Sequence, residues 1–127
     1  MSKGHRSQIK RERNEVKDNR ARAKLSYARV SVQKACFVLD AIRGKDVKTA
    51  LGILAYSPRY ASRVIEKLLK SAIANAEVKN MDPDKLFIEE CYANQAPIMK
   101  RIQPRARGTA YRINSRMCHI TLVLNER

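Results

Sequence analysis

The spacing of apolar residues divides the chain into three parts: an alternating segment, a helical half and a second alternating half. From Ala23 to Val30, Leu25 and Tyr27 recur with the two-residue period of a half-buried strand. Leu86 to Ala93 and Met117 to Leu124 show the same period. The segment between these last two has no helical period from which a crossover could be built. They are therefore predicted to pair antiparallel, as the two arms of a hairpin.

Three amphipathic helices are predicted between the strands. The first runs from an N-cap at Ser31 to Gly44, whose backbone can take the left-handed conformation of a helix end. Asp46 is expected to cap the second, and Pro58 to occupy the first position of the third. The third is the longest, and its broad apolar face places it at the centre of the core. The predicted fold class is α+β, with three helices packed on a small antiparallel sheet and a long extended β-hairpin.

The segment from Ile98 to Met117 carries no carboxylate and six cationic side chains, Lys100, Arg101, Arg105, Arg107, Arg112 and Arg116. If its arms stay extended from Ala93 to about Arg105, the tip stands roughly 40 Å beyond the body. A structureless loop of this length is unusual, so either it is disordered or something outside the chain gives it shape. Guanidinium groups bind phosphate bidentately. Tyr111 is expected either to stack on a base or to pack across the strands.

The charge of the whole chain favours a polyanionic partner. There are 27 Lys and Arg against 12 Asp and Glu, which gives a formal net charge of +15. Such a field favours nucleic acid or an anionic membrane. Residues 1–22 contain hardly an aliphatic residue and are predicted to be a basic arm, flexible until bound, or else a solubilising tail. Residues 23–127 are predicted to form a single domain that includes the hairpin at about 86–124.

The sequence shows no arrangement of residues for catalysis or for binding a metal or cofactor. His5 and His119 have no metal-ligand spacing with any cysteine, and Glu89 and Glu90, adjacent in a strand, are predicted to face opposite sides. No apolar run reaches the roughly 18 residues of a membrane span, so a cytosolic protein is predicted. Three cysteines lie far apart in apolar patterns and are predicted to be reduced, buried thiols: Cys36, Cys91 and Cys118.

Two other partners are considered for the basic surface. Three short helices followed by a hairpin also resemble a winged helix, whose third helix enters the major groove of DNA. The apolar stripe of the third helix is too broad for that role. A membrane-surface protein is less favoured still, because the basic segments lack an apolar face that could enter lipid. RNA is therefore the predicted partner.

Several motifs, in order along the chain, closely resemble the family of the twenty-second protein of the large ribosomal subunit. Those of its hairpin are Lys100 to Gly108, Arg112-Ile113 and His119 to Leu124. Those of its first strand, first helix end and third helix are Ala23 to Tyr27, Ile42 to Lys45 and Ser71 to Glu77. Two departures are Val32, where a proline is common, and Met117-Cys118, where Thr-Ser is more usual. Neither departure touches the basic positions.

The resemblance covers Ala23 to Arg127 and implies a non-catalytic assembly protein of the bacterial-type large subunit, bound to the ribosome in the cytoplasm. It implies contacts with several domains of the large-subunit rRNA and with neighbouring ribosomal proteins, and no homo-oligomer. The body would lie near the exit of the nascent-peptide tunnel. The hairpin tip would line the tunnel near its constriction and the macrolide site, through Met99, Lys100, Arg101, Ile102, Gln103, Pro104, Arg105, Ala106 and Arg107.

Nine residues are the candidate RNA contacts: Lys24, Lys34, Lys100, Arg101, Arg105, Arg107, Arg112, Arg116 and His119. His119 has two interpretations, a donor to RNA or a strand residue with a hydrogen bond inside the protein.

Overall fold

The computed structural model describes residues 8–11 and 19–127 and confirms the α+β class. Its helices are α1 (Val32–Ile42), α2 (Val47–Tyr56) and α3 (Tyr60–Val78). Its strands are β1 (Ala21–Ala28), β2 (Leu86–Gln95), β3 (Met99–Pro104), β4 (Ala110–Ser115) and β5 (Cys118–Glu126). Residues 8–11 are also helical. The flexible arm predicted for residues 1–22 stays a prediction, since residues 1–7 and 12–18 lie outside the described residues.

The body of the protein is built on a three-stranded sheet whose central strand is the last one in the chain. The order is β1-β5-β2, and both pairs are antiparallel. Alternate residues of β5 face the helices, and Ile120, Leu122 and Leu124 are completely buried there. The helix α3 covers this face with a stripe of buried residues at helical spacing, Ala61, Ile65, Leu68, Leu69, Ala72 and Ala76. The prediction that the third helix forms the centre of the core is confirmed.

The other face of β5 is also shielded from water. Thr121 and Val123, which alternate with the three helix-facing residues of β5, are each only 3% exposed. In the register of the sheet, Arg22 stands beside Val123, and both Lys24 and Tyr92 stand beside Thr121. Long side chains cover apolar surface with their stems while their polar ends stay in water. We call this the open face of the sheet, and the residues that flank Val123 and Thr121 on it are Arg22, Glu90, Lys24 and Tyr92.

The ends of the first helix follow the sequence prediction. The Ser31 hydroxyl accepts a hydrogen bond from the backbone N–H of Lys34 at 3.4 Å, as an N-cap does. Gly44 has φ +72°, the left-handed conformation expected after a helix end. Its N–H donates to the carbonyl of Ile88 at 3.0 Å, which ties this turn to strand β2.

The ends of the other two helices differ from the prediction. Asp46 precedes α2 at the N-cap position, yet its carboxylate makes no capping hydrogen bond and lies 3.4 Å from the Arg127 guanidinium instead. Pro58 was predicted at the first position of the third helix, and this is wrong, because α3 begins at Tyr60 after an extended Arg59. The chain needs Ser57 to Arg59 to turn from one helix into the next.

Two bulges in the sheet overturn expectations that were based on simple alternation. The register of β1 shifts between Leu25 and Ala28, and Tyr27 takes φ +56°, so its ring is 60% exposed instead of half-buried. The register of β2 shifts between Ile88 and Glu90. An extra residue in a strand breaks the two-residue period.

The second bulge brings together two carboxylates that were predicted to face opposite sides. The Nη1 atom of Arg20 lies 3.3 Å from Glu89 Oε2 and 3.1 Å from Glu90 Oε1. The prediction that these two residues cannot share one site is therefore wrong. Their shared partner is a cation of the same chain, so the cluster is an internal ion pair.

The hairpin leaves the body as a regular antiparallel ladder. The β2–β5 pairing extends to Gln95 and Cys118, and the β3–β4 pairing runs from Met99 opposite Ser115 to Pro104 opposite Ala110. Every residue from Lys100 to Arg116 is exposed. The arms project about 30 Å beyond the buried Ala96, at about 3.3 Å per residue over nine residues. Backbone pairing within the hairpin thus gives the segment its shape.

Two glycine substitutions are expected to change stability in opposite directions. Gly44→Ala should lower the free energy of unfolding by about 1 kcal/mol, because an alanine is strained at φ +72°. Gly52→Ala should raise it by about 0.5–1 kcal/mol, because Gly52 lies inside α2 with no atom near an added Cβ. Urea denaturation followed by circular dichroism measures both. Equal effects at the two sites would contradict the helix-end assignment.

Removal of the hairpin is expected to leave the body intact. Replacement of residues 100–114 by an Asn-Gly turn joins Met99 to its partner Ser115. The free energy of unfolding should change by less than about 0.5 kcal/mol, because only exposed residues are lost. The control Leu122→Ala should cost about 2–5 kcal/mol, since it opens a cavity in the core. A loss from the shortened variant as large as the control's would mean that the hairpin supports the body.

Candidate nucleic-acid interface

The nine candidate RNA contacts fall into three separate places on the structure. Five lie on the hairpin beyond the body, namely Lys100, Arg101, Arg105, Arg107 and Arg112. Lys34 and Arg116 line a groove where the hairpin joins the body. Lys24 and His119 lie at the open face of the sheet. The candidate contacts are therefore close together in the sequence only along the hairpin.

The hairpin carries cations on both of its faces. Residues directly opposite each other in an antiparallel pair share a face. Ile102 is opposite Arg112 and therefore shares one face with it and with Lys100, while Arg101 opposite Ile113 lies on the other face. Ile102 is 66% exposed and Ile113 is 47% exposed. Each face thus presents positive charge beside an uncovered isoleucine.

The tip of the hairpin is a tight turn closed by its own hydrogen bonds. The N–H of Arg105 donates to the carbonyl of Thr109 at 2.8 Å, and the Thr109 hydroxyl donates to the carbonyl of Ala106 at 2.8 Å. Gly108, as a glycine, has the least restricted backbone in this turn. The structure places Arg107 in the left-handed region too, with φ +60°, beside Gly108 at +72°. The turn therefore holds an arginine in a conformation that most side chains avoid.

Tyr111 combines parts of the two roles proposed for it. The guanidinium carbon of Arg105 lies 5.2 Å from the centre of its ring, within the range of a cation–π contact. The ring is nevertheless 59% exposed. It supports an arginine within the hairpin and leaves aromatic surface available to a partner.

His119 has a hydrogen bond within the protein, which orients its ring. Its Nδ1 atom accepts from the backbone N–H of Tyr27 at 3.0 Å, and the two rings meet edge to face with centres 4.7 Å apart. Because Nδ1 is the acceptor, the neutral ring carries its proton on Nε2. The bulge in β1 is what brings the Tyr27 N–H within reach. His119 thus satisfies the second interpretation while keeping one donor for a ligand.

Two cations that sequence reasoning did not select lie in the same groove as Lys34 and Arg116. These are Arg29, just after β1, and Arg59, just before α3. The sequence does not show that they lie together, because they stand in different parts of the chain and meet only in the folded body.

The cations that have carboxylate partners lie elsewhere on the body. Lys48 pairs with Asp84 at 2.8 Å, and its hydrogen bond lowers the pKa of that carboxyl below the usual value. Lys70 pairs with Glu66 at 2.7 Å. Other paired cations are Arg20, Arg43, Lys85 and Arg127. Among the described residues, none of the six cations from Lys100 to Arg116 has a carboxylate partner.

Cys91 and Cys118 are buried and offer no reactive site. Burial raises the pKa of the Cys91 and Cys118 thiols, which keeps them protonated near neutral pH. All three are free thiols, as predicted, but Cys36 is partly exposed on α1 rather than buried. Within residues 8–11 and 19–127, no three His, Cys, Asp or Glu side chains are placed to hold a metal ion. No helix in those ranges is long and apolar enough to cross a membrane.

Comparison with known proteins gives a consistent set of matches. The sequence profile of the family described as "Ribosomal protein L22p/L17e" matches residues 23–125. A large ribosomal subunit protein uL22 of Lachnoclostridium phytofermentans is 77% identical over the full length of both chains. One from Lachnospira eligens is 73% identical, also over both full lengths. Another, from Clostridium tetani, is 53% identical over 84% of this chain and 97% of its own.

Loss of the two arginines at the hairpin turn is expected to weaken the salt dependence of RNA binding. Each neutralised phosphate contributes about 0.7–0.9 to the slope of log affinity against log salt. The double variant Arg105→Ala and Arg107→Ala should therefore flatten the slope for large-subunit rRNA by roughly one to two units. The control Lys48→Ala and Lys70→Ala removes the same charge from paired cations. Equal slopes for the two variants would contradict direct phosphate contact at the turn.

Proposed function

This chain belongs to the ribosomal protein L22p/L17e family, and from that premise we propose that its hairpin is embedded in large-subunit rRNA and reaches the nascent-peptide tunnel. The family makes it a structural protein of the large ribosomal subunit, not an enzyme. As such it is bound to the ribosome in the cytoplasm, associated with rRNA and other ribosomal proteins. Which groups make these contacts, and where, is the substance of the proposal.

One observation carries the proposal: a ladder projecting about 30 Å, with cations on both faces and no carboxylate of its own. A globular surface touches a polyanion from one side only. A two-stranded ribbon is thin enough to be surrounded, so Lys100 and Arg112 on one face and Arg101 on the other would meet different phosphates. Ile102 and Ile113 would then be covered by bases and sugars rather than by water.

The same geometry supports a role in assembly. An isolated pair of strands is only marginally stable in water. RNA that closes around the hairpin would therefore hold the two strands in a more rigid form. Contacts on both faces would join RNA segments that are distant in sequence. The body, with its open face bearing Lys24 and His119, would hold a further segment. A protein that bridges RNA in this way favours the folded state of the RNA.

The tunnel contact is proposed for the end of the hairpin. Met99 to Arg107 includes the part of the chain farthest from the body, and every residue from Lys100 to Arg107 is exposed. The left-handed Arg107 and the Arg105–Tyr111 contact give the turn a defined shape. A shaped, basic end that emerges from RNA into an open channel would present its side chains to the nascent peptide.

The winged-helix alternative does not fit this arrangement. In that fold the third helix must expose a face to DNA. Here the apolar face of α3 is packed on β1 and β5, and the hairpin extends about 30 Å beyond the body, so that only its base lies near α3.

A photocrosslinking experiment tests the tunnel contact. Benzoylphenylalanine replaces Gln103, an exposed tip residue, in the full chain assembled into large subunits that carry a stalled nascent peptide. Illumination should attach the protein to the nascent peptide and to rRNA. The matched control carries the same group at Lys67, an exposed position on α3, and should not label the peptide. Labelling of rRNA alone from position 103 would place the tip inside RNA and overturn the tunnel contact.

A further inference from the structure

The groove at the base of the hairpin is a second basic site, separate from the tip. We call it the root groove. It has a volume of about 1000 Å³ and is formed where the end of β1, the starts of α1 and α3, and the two hairpin arms meet. Four cations from these different segments line it: Arg29, Lys34, Arg59 and Arg116. No carboxylate is among its lining residues.

We propose that the root groove binds the sugar–phosphate backbone of one RNA strand, at the point where the hairpin enters the RNA. This inference rests on the proposed function and adds to it a specific site on the body. The groove would fix how the body sits on the RNA, while the tip fixes how deep the hairpin reaches.

The charges of the groove are free for a ligand. Among the described residues, none of its four cations forms an ion pair. Elsewhere on the body, Arg43 after α1, Lys48 on α2 and Lys70 on α3 pair with carboxylates. Four like charges around one concave space repel one another unless an anion lies between them. Fixed cations around a groove raise the local concentration of anions.

Arg59 is held in position before any ligand arrives. Its guanidinium carbon lies 4.3 Å from the centre of the Phe37 ring, close enough for a stacked cation–π contact. Phe37 is 64% exposed, so the ring serves as a support on the surface rather than as part of the core. A guanidinium fixed in this way loses less conformational entropy when it binds phosphate.

The polar lining of the groove matches a nucleic-acid backbone better than a simple anion. Gln33, Gln95 and Asn114 stand among the cations and offer both donors and acceptors. Ribose hydroxyls can donate and accept hydrogen bonds, which is how proteins distinguish RNA from DNA. An acidic protein segment would use the cations but not a set of amides arranged between them. The continuity of the groove with the hairpin arms also favours RNA.

The test compares two double variants with the same change in net charge. Arg29→Gln with Arg59→Gln removes two groove cations, and the control Lys48→Gln with Lys70→Gln removes two paired ones. Binding of the full chain to protein-free large-subunit rRNA is measured from 50 to 400 mM salt. The groove variant should flatten the slope of log affinity against log salt by about 1.4–1.8, and the control by less than about 0.5. Affinity at 150 mM salt should fall at least about tenfold for the groove variant alone.

A second pair, Lys34→Gln with Arg116→Gln, is measured alongside. If circular dichroism shows that the first pair of substitutions unfolds the body, the second pair provides the test of the root groove instead. Groove variants with the same salt dependence as the control would contradict RNA binding in the root groove. They would leave the predicted effect of the tip arginines in place. A wild-type chain that prefers duplex DNA to rRNA would overturn the groove and the proposed function together.

Crosslinking identifies the occupant directly. Benzoylphenylalanine at Gln33, a groove residue, should attach to rRNA in assembled large subunits. Attachment to a neighbouring protein without rRNA would mean that an acidic protein segment fills the groove, and the proposal would be wrong.

Discussion

The central position of β5 is the constraint on which the rest of the structure depends. This strand pairs with β1 on one side and β2 on the other, and both of its faces are shielded from water. Arg127, the residue after this strand, also makes contacts that close the far end of the body. The Arg127 side chain reaches Asp46, the carbonyl of Gly44 and the ring of Phe87. Because the sheet joins residues about a hundred positions apart, it is complete only when the last strand is in place.

The same strand makes the hairpin a continuation of the core. Its pairing with β2 is anchored between buried Ile88 and Leu124, and after a short break at Pro97 and Ile98 the arms pair again as β3 and β4. The direction of the tip is therefore set by the body. Ile102 and Ile113 are exposed and gain no burial on a ribbon that water surrounds. Their exposure is consistent with a surface that a partner covers.

Positive and negative charges are unevenly distributed along the long axis of the sheet. The carboxylates Asp46, Asp82 and Glu126 lie near the start of β2, where Lys85 and Arg127 pair with acids. At the opposite end, the residues that line the root groove and those from Lys100 to Arg116 include cations and amides but no carboxylate. The body neutralises its own charge at one end and leaves the other end for a polyanion. Surface ion pairs contribute little to stability, so this separation has little effect on folding.

The sequence by itself determined the element types, the hairpin and its basic character. Local spacing carries that information, as at Ser31 and Gly44, and charge along one hairpin needs no knowledge of the fold. Only the tertiary structure decided where alternation fails, as at Tyr27 and Glu89, because a bulge in one strand depends on its partner strand. It also decided that Arg29 and Arg59 meet in the root groove, since helix and strand ends distant in sequence converge only when the core packs.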